Sequence, residues 1–386
     1  MANWRRTDDL LGAAIGGGAL PSLVAGVSDR NGVVYRFARG GLDRNVDFDT
    51  IFWIASMTKA LTSIAAMQLV EDGRLPLDTP IGEVVPALAR RQILSGFDGA
   101  GRPVMRDAEV PMTLAHLLSH TSGFSENVWS ADMLRYVETT GTPAGGTARL
   151  AALDLPLLFE PGSAWSYGIS HDWVGQAVEK GGGKRLDRWF ADHLFGPLGM
   201  KDTTYFPHGA QLARMATVYA RQADGTLVPF ERKLPAEREF ISGGGTIHST
   251  AGDYLAFLRM LLNDGRAGGG QVLRPETVAR LSQNRTPGMV VSKLDPAIPS
   301  MSNAVELLPG RAKGWGLGTM VNFETLPTGR RAGSLAWAGL PNTWFWVDRD
   351  AGVAGVLMTQ ILPFADKAVL DLFERFEGSV YAALDL

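Results

Sequence analysis

The stretch Phe52-Trp53-Ile54-Ala55-Ser56-Met57-Thr58-Lys59-Ala60 constrains this chain more than any other. No charged residue stands between Lys59 and Glu71, and Ala60, Ile64 and Met67 recur at i, i+4 and i+7. That pattern predicts a helix that is apolar nearly all round, and so one buried inside a large fold. Residues three apart share a helix face, so Ser56 and Lys59 meet at its start. The start of a buried helix favours developing negative charge, through its free N–H groups and positive dipole end. A lysine in a dry site can act as base toward a neighbouring hydroxyl. The competing reading is a chance Ser-x-x-Lys match, because the motif is short. A purely structural lysine belongs on a solvated face, however, and this helix has no other charge until Glu71.

The bulk properties narrow the field. A chain of 386 residues has room for two or three domains, or for one large domain with an insertion. The absence of cysteine excludes disulfides, zinc–thiolate centres and thiol catalysis. A net charge of -3 gives no electrostatic case for nucleic acid or an anionic membrane. No run is long and apolar enough to span a bilayer. Trp4-Arg5-Arg6 followed by the uncharged run from Leu10 to Ser28 loosely mimics a secretion signal. Asp8, Asp9, the three glycines from Gly16 and Pro21 interrupt it, so it reads as a first helix entering a first strand of a cytoplasmic protein.

Strand signals lie at both ends of the chain. Asn31-Gly32 between Leu23–Ser28 and Val33–Ala38 predicts a hairpin. Trp315–Val321, Gly333–Gly339, Thr343–Val347 and Val353–Thr359 read as β segments, and Ala365–Ala383 as a last helix. A helix is expected over Ala251–Asn263, with Ser249 or Thr250 as its N-cap. The middle reads as helical: Thr113–Phe124 is a helix stopped by glycine, Ser163–Gly175 starts another, and Gly96–Pro103 is an exposed turn or hairpin tip. The expected organisation is an α/β sheet domain from residues 1–74 and 240–386, a mostly helical insertion at 75–239, and an active site at their interface.

Two further places could carry chemistry. Tyr167 follows the turn Glu160-Pro161-Gly162, and loops carry function more often than cores do. It could relay the Ser56 proton together with Lys59, or it could simply pack. Trp337-Ala338-Gly339 would bring a backbone N–H toward an oxyanion if its strand edge lies beside Ser56. The six histidines do not complete a serine–histidine–aspartate set, because the chain has no Gly-x-Ser-x-Gly elbow. His116 and His120 lack the intervening glutamate of a zinc protease, so no metal is expected and His120 reads as a structural hydrogen-bonder.

Taken together, Ser56-Met57-Thr58-Lys59, Tyr167 and Trp337-Ala338-Gly339 resemble the three motifs of the serine β-lactamase/penicillin-binding-protein superfamily, in its class C β-lactamase-like branch with the family VIII carboxylesterases. The stretches Leu117–Phe124, Phe195–Met200 and Gly243–Tyr254 share the likeness, which covers nearly the whole chain. The resemblance implies a class C β-lactamase-like α/β fold, with an antiparallel sheet flanked by helices and a mostly helical inserted domain. It implies catalysis by Ser56, Lys59 and Tyr167, and an oxyanion hole from the backbone N–H groups of Ser56 and Leu340. It implies no cofactor.

Two positions depart from the family's β-lactamases. Ile169 replaces the asparagine two residues after the tyrosine, and Trp337 replaces the lysine opening the third motif. Both changes remove polar recognition of a charged lactam, so the expected activity is a carboxylesterase acting on short-chain or small acyl esters. Trp165, Trp173 and Trp344, with Ile169, are the expected pocket walls. An acyltransferase on the same machinery, a D-aminopeptidase or amide hydrolase with weak β-lactamase activity, and a non-catalytic scaffold are the alternatives. The expected partner is a small-molecule ester, with no nucleic acid and no membrane; a homo-oligomer is compatible with the sequence.

Overall fold

The computed structural model describes residues 2–42, 46–143, 145–232, 237–268 and 270–386. Its centre is a seven-stranded antiparallel sheet. The strands are β1 (Ser22–Ser28), β2 (Val33–Gly40), β3 (Lys313–Trp315), β4 (Met320–Asn322), β5 (Leu335–Gly339), β6 (Thr343–Asp348) and β7 (Val353–Met358). Their spatial order is β3-β4-β5-β6-β7-β1-β2. The two ends of the chain meet where β1 pairs with β7, from Val24 opposite Met358 to Ser28 opposite Ala354.

Every residue of β1, β5, β6 and β7 is buried. Such strands need helices on both faces of the sheet. Alternation along β6 shows how they are covered. Phe345 packs on Tyr254 of α5 (Ala251–Leu262), while Trp344 and Trp346 pack on Phe373 and Phe376 of α6 (Lys367–Leu384). Thr250 caps α5 by accepting from the Asp253 N–H. α1 (Arg5–Gly16) lies beside α6 on its face of the sheet. α2 (Thr58–Glu71) is buried from Thr58 to Met67, as its uncharged sequence requires.

Several local expectations shift in detail. The β1–β2 hairpin forms, but Asp29 organises its turn by accepting from the Asn31 and Gly32 N–H groups at 2.7 and 2.9 Å. The strand expected over Trp315–Val321 is broken into β3 and β4 by a turn in which Gly316 N–H donates to Thr319 and Gly318 takes φ +108°. The helix expected from Thr113 is one short turn, α3 (Leu114–Leu118), because the chain turns left-handed at His120, φ +57°. The helix expected from Ser163 begins later, as α4 (Ser170–Gly182). The stretch 75–239 also contains strands: Gln92–Phe97 pairs with Pro103–Asp107, and Tyr219–Arg221 runs parallel to Ile361–Leu362. Among the described residues, no helix is long and apolar enough to cross a membrane.

Candidate active site

Ser56 sits where a short strand turns into α2. Ala55 takes φ +42°, a left-handed conformation costing a non-glycine residue about 1–2 kcal/mol, and it swings the chain into the turn Ala55–Met57. The surroundings hold this bend. Ile54 N–H donates to Ile247, and Tyr254 Oη donates to the Met57 carbonyl at 3.0 Å. Lys59, 3% exposed, lies one turn on, and its Nζ donates to Ser56 Oγ at 3.0 Å and to the Gly244 carbonyl at 2.7 Å.

The turn presenting Gly244 is itself fixed. Asp172 on α4 accepts from Ser242 Oγ at 2.6 Å and from Gly244 N–H at 3.0 Å, and Thr62 Oγ1 donates to Gly243 at 2.7 Å. Burial pushes the Asp172 carboxyl up, against the Ser242 bond and the Lys59 charge that pull it down. Asp172, Ser242 and Gly244 therefore position Lys59, and of the three only Gly244 lies in a stretch that shares the family likeness. The run Ser242-Gly243-Gly244-Gly245 reads only as a turn until α4 is placed against it.

Tyr167, 3% exposed, faces the pair from the other side, with Lys59 Nζ 4.8 Å from its ring centroid. Its hydroxyl accepts from Trp337 Nε1 at 2.9 Å. Trp337 is thus a neutral hydrogen-bond donor to the tyrosine. Around Tyr167 the rings of His120, Trp129, Trp315 and Trp337 pack with centroids 4.6–6.2 Å away. His120 is not the hydrogen-bonder expected: both ring nitrogens are buried without a partner among the described residues, and it serves as a flat ring between Tyr167 and His171. Burial holds both histidines far below the ordinary imidazole range, and so neutral beside Lys59.

Two glycines permit this convergence. A Cβ on Gly339 would lie 2.2 Å from the Ile54 carbonyl oxygen, so only glycine lets β5 come this close to the Ser56 turn. A Cβ on Gly168 would lie 2.4 Å from the Ser125 backbone, and its absence lets the Tyr167 loop nest there. Ser56, Tyr167, Trp337, Ala338 and Leu340 consequently line one gap. Neither the Ser56 nor the Leu340 N–H donates to a backbone carbonyl among the described residues, which leaves both able to hold an oxyanion.

The remaining walls differ from those expected. Trp129, Leu294 and Phe364 complete the gap. Trp173 packs instead on Phe124, because α4 turns it away, and Trp344 lies under α6 against Phe364 and Phe373. Trp165 packs tilted against Trp315, one ring further out, and Ile169 is the buried N-cap of α4. Among the described residues, no cluster of histidine and carboxylate side chains could hold a metal ion.

The chain is similar over most of its length to proteins of known sequence and structure. The Beta-lactamase family model matches residues 7–378. Lovastatin esterase of Penicillium rubens is 30% identical over 395 residues, covering 97% of each chain. Monacolin J acid methylbutanoyltransferase of Aspergillus terreus is 32% identical over 348 residues, covering 86% of this chain and 82% of that one. The solved structure of unliganded simvastatin synthase from Aspergillus terreus superposes with a TM-score of 0.84 at 29% identity, covering 98% of this chain and 97% of that one.

Proposed function

The chain belongs to the Beta-lactamase family, and on that premise we propose that it moves acyl groups from esters through a covalent acyl-enzyme on Ser56. One observation carries the reading: Lys59 Nζ is held 3.0 Å from Ser56 Oγ by a buried carbonyl, in a gap that Tyr167 closes. Ser56 Oγ attacks the ester carbonyl carbon, and its proton passes to Lys59 Nζ, acting as the unprotonated amine base. The carbonyl oxygen becomes an oxyanion held by the Ser56 and Leu340 N–H groups, each worth roughly 3 kcal/mol. Collapse breaks the bond to the alkoxy oxygen, which takes the Tyr167 hydroxyl proton and leaves as the alcohol, while Lys59 passes the serine's proton back to Tyr167. Water or a second alcohol then repeats the sequence in reverse, giving acid or a new ester.

Esters are favoured over lactams by Ile169 and Trp337, which offer no cation and no amide to a charged bicyclic lactam. The named activities of the relatives, one esterase and one acyltransferase, fit either acceptor. Product analysis of an ethyl ester, with and without an added alcohol, tests the reading. The expected result is acid alone in the first case and acid plus new ester in the second. A kcat/KM for a penicillin equal to or above that for the best simple ester would overturn the preference.

A further inference from the structure

Two arginines without carboxylate partners meet behind the Ser56 turn. The short strand Phe52–Trp53 pairs with His248–Ser249, Trp53 opposite His248, and His248 exchanges backbone hydrogen bonds of 2.9 Å with Thr204 on its other side. The Arg232 guanidinium lies 3.8 Å from the Trp53 ring centroid, with Nη1 3.3 Å from His248 Nε2. The Arg238 guanidinium lies 4.6 Å from the ring centroid of Phe206, two residues beyond Thr204. A guanidinium over a ring uses its flat face, and its N–H edge still calls for acceptors. Arg238 Nε and Nη1 are buried with none among the described residues. Arginine only donates, so His248 Nε2 accepts from Arg232 and the imidazole proton sits on Nδ1. That makes a third buried donor without an acceptor among the described residues, in a residue 1% exposed.

The charges are unbalanced too. Neither arginine forms an ion pair among the described residues, whereas buried Arg330 meets Glu377 at 3.1 Å. Glu231 and Glu237 are exposed, and Glu239 accepts from the Leu150 N–H at 2.8 Å. Burial and the Arg238 charge push the Arg232 guanidinium down to about 9. Burial and both arginine charges push the His248 imidazole down to about 3, so it holds Arg232 in place without neutralising it. Buried donors are ordinarily satisfied and buried charges ordinarily paired.

We propose that Arg232 and Arg238, beside His248, bind a phosphate-class oxyanion, either free or as the phosphate group of a larger molecule. Two cationic forks match a dianion with oxygens on several sides better than a planar carboxylate, which carries one charge on two oxygens. None of Trp53, Arg232, Arg238 and His248 lines the Ser56 gap, so the site is separate from the catalytic one and does not depend on the acyl-enzyme reading. It is tied to the catalytic turn nonetheless. Trp53 Nε1 donates to the Gly245 carbonyl at 2.9 Å, next to the Gly244 carbonyl that holds Lys59.

The test titrates inorganic phosphate into Ser56→Ala by calorimetry at constant ionic strength, where one site is expected. Arg238→Met keeps the side chain's reach over Phe206 and removes its charge. It and Arg232→Met should each weaken binding tenfold or more, and Arg238→Lys less. In phosphate-free buffer Arg238→Met should melt no lower than wild type, since it breaks no ion pair. Adding phosphate should raise the wild-type melting temperature above the variant's, because a ligand bound by the folded state alone stabilises it by mass action. Comparing the two proteins removes the general salt effect. Glycerol 3-phosphate binding more tightly than phosphate would support the phosphate group of a larger molecule; tighter binding of phosphate would support the free ion. No detectable binding, binding left within twofold by both methionine variants, or acetate binding as tightly as phosphate would overturn the site. A competitive rise in KM for ethyl acetate with phosphate would put the anion in the Ser56 gap and overturn it too. So would a variant that melts lower by the same amount with and without phosphate, which reduces Arg238 to packing. Arg232→Met and Arg238→Lys keep the test decisive if Arg238→Met does not fold.

Discussion

Gly339→Ala asks whether the close approach of β5 to the Ser56 turn builds the oxyanion hole. The added Cβ would meet the Ile54 carbonyl oxygen at 2.2 Å and Thr343 Oγ1 at 2.3 Å. Ordinary contact begins near 3.4 Å, so β5 and the turn must separate by about 1 Å. Leu340 N–H follows Gly339 directly and moves with it. Hydrogen bonds weaken steeply once stretched by that amount, so one of the two oxyanion donors is lost. Loss of one donor costs about 3 kcal/mol at the transition state, or roughly 100-fold in kcat. KM should change little, because the bond is made to the oxyanion rather than to the ground-state ester. The assay is steady-state hydrolysis of an activated ester, with the rate of fluorophosphonate labelling in parallel and circular dichroism for folding. Both rates should fall together in a folded protein. A folded variant whose kcat stays within threefold of wild type would refute the reasoning.

The other predictions are brief. Tyr167→Phe should cut kcat roughly 100-fold, and more for a poor leaving group than for an activated one; equal, small losses on both esters would remove Tyr167 from the mechanism. Trp337→Phe removes the donor to Tyr167, so kcat should fall about 10-fold with little change in KM, and an unchanged kcat would reduce Trp337 to packing. Glu126 keeps some contact with solvent, yet the surrounding protein atoms push its carboxyl up to about 7, against the pull of Lys59 and with a push from Asp172. Between about 4.5 and 7 the folded state holds a proton that the unfolded chain has lost, so stability falls as pH rises through that window. Glu126→Gln cannot ionise, and its melting temperature relative to wild type should be higher at pH 8 than at pH 4.5; a pH-independent difference would contradict the assignment.

The parts of the site legible in sequence are those with a local signal. Ser56 and Lys59 share one helical turn, and the uncharged run to Glu71 announces the burial of α2. Gly339 and Trp337 lie on one β segment whose alternation and flanking turns are readable. The rest depends on distant contacts. Asp172, Ser242 and Gly244 act on Lys59 across separations of up to 185 residues, and no local signal in the chain states that role. Trp129, Leu294 and Phe364 reach the gap from three separate loops or short strands for the same reason. Trp344 stands outside the Ser56 gap because pairing with β5 turns it to the α6 face of β6, which the sequence does not state. The turn at 316–319 was missed because Trp315, Leu317 and Val321 mimic a continuous apolar strand, while Gly316 and Gly318 carry the break.

The most direct test of the central claim is intact-protein mass spectrometry of the chain after reaction with a fluorophosphonate, followed by peptide mapping. A single phosphonyl adduct on Ser56 is expected, with ester turnover lost in step with labelling, and neither adduct nor turnover in Ser56→Ala. An adduct on another residue, or full ester turnover in Ser56→Ala, would contradict the acyl-enzyme on Ser56.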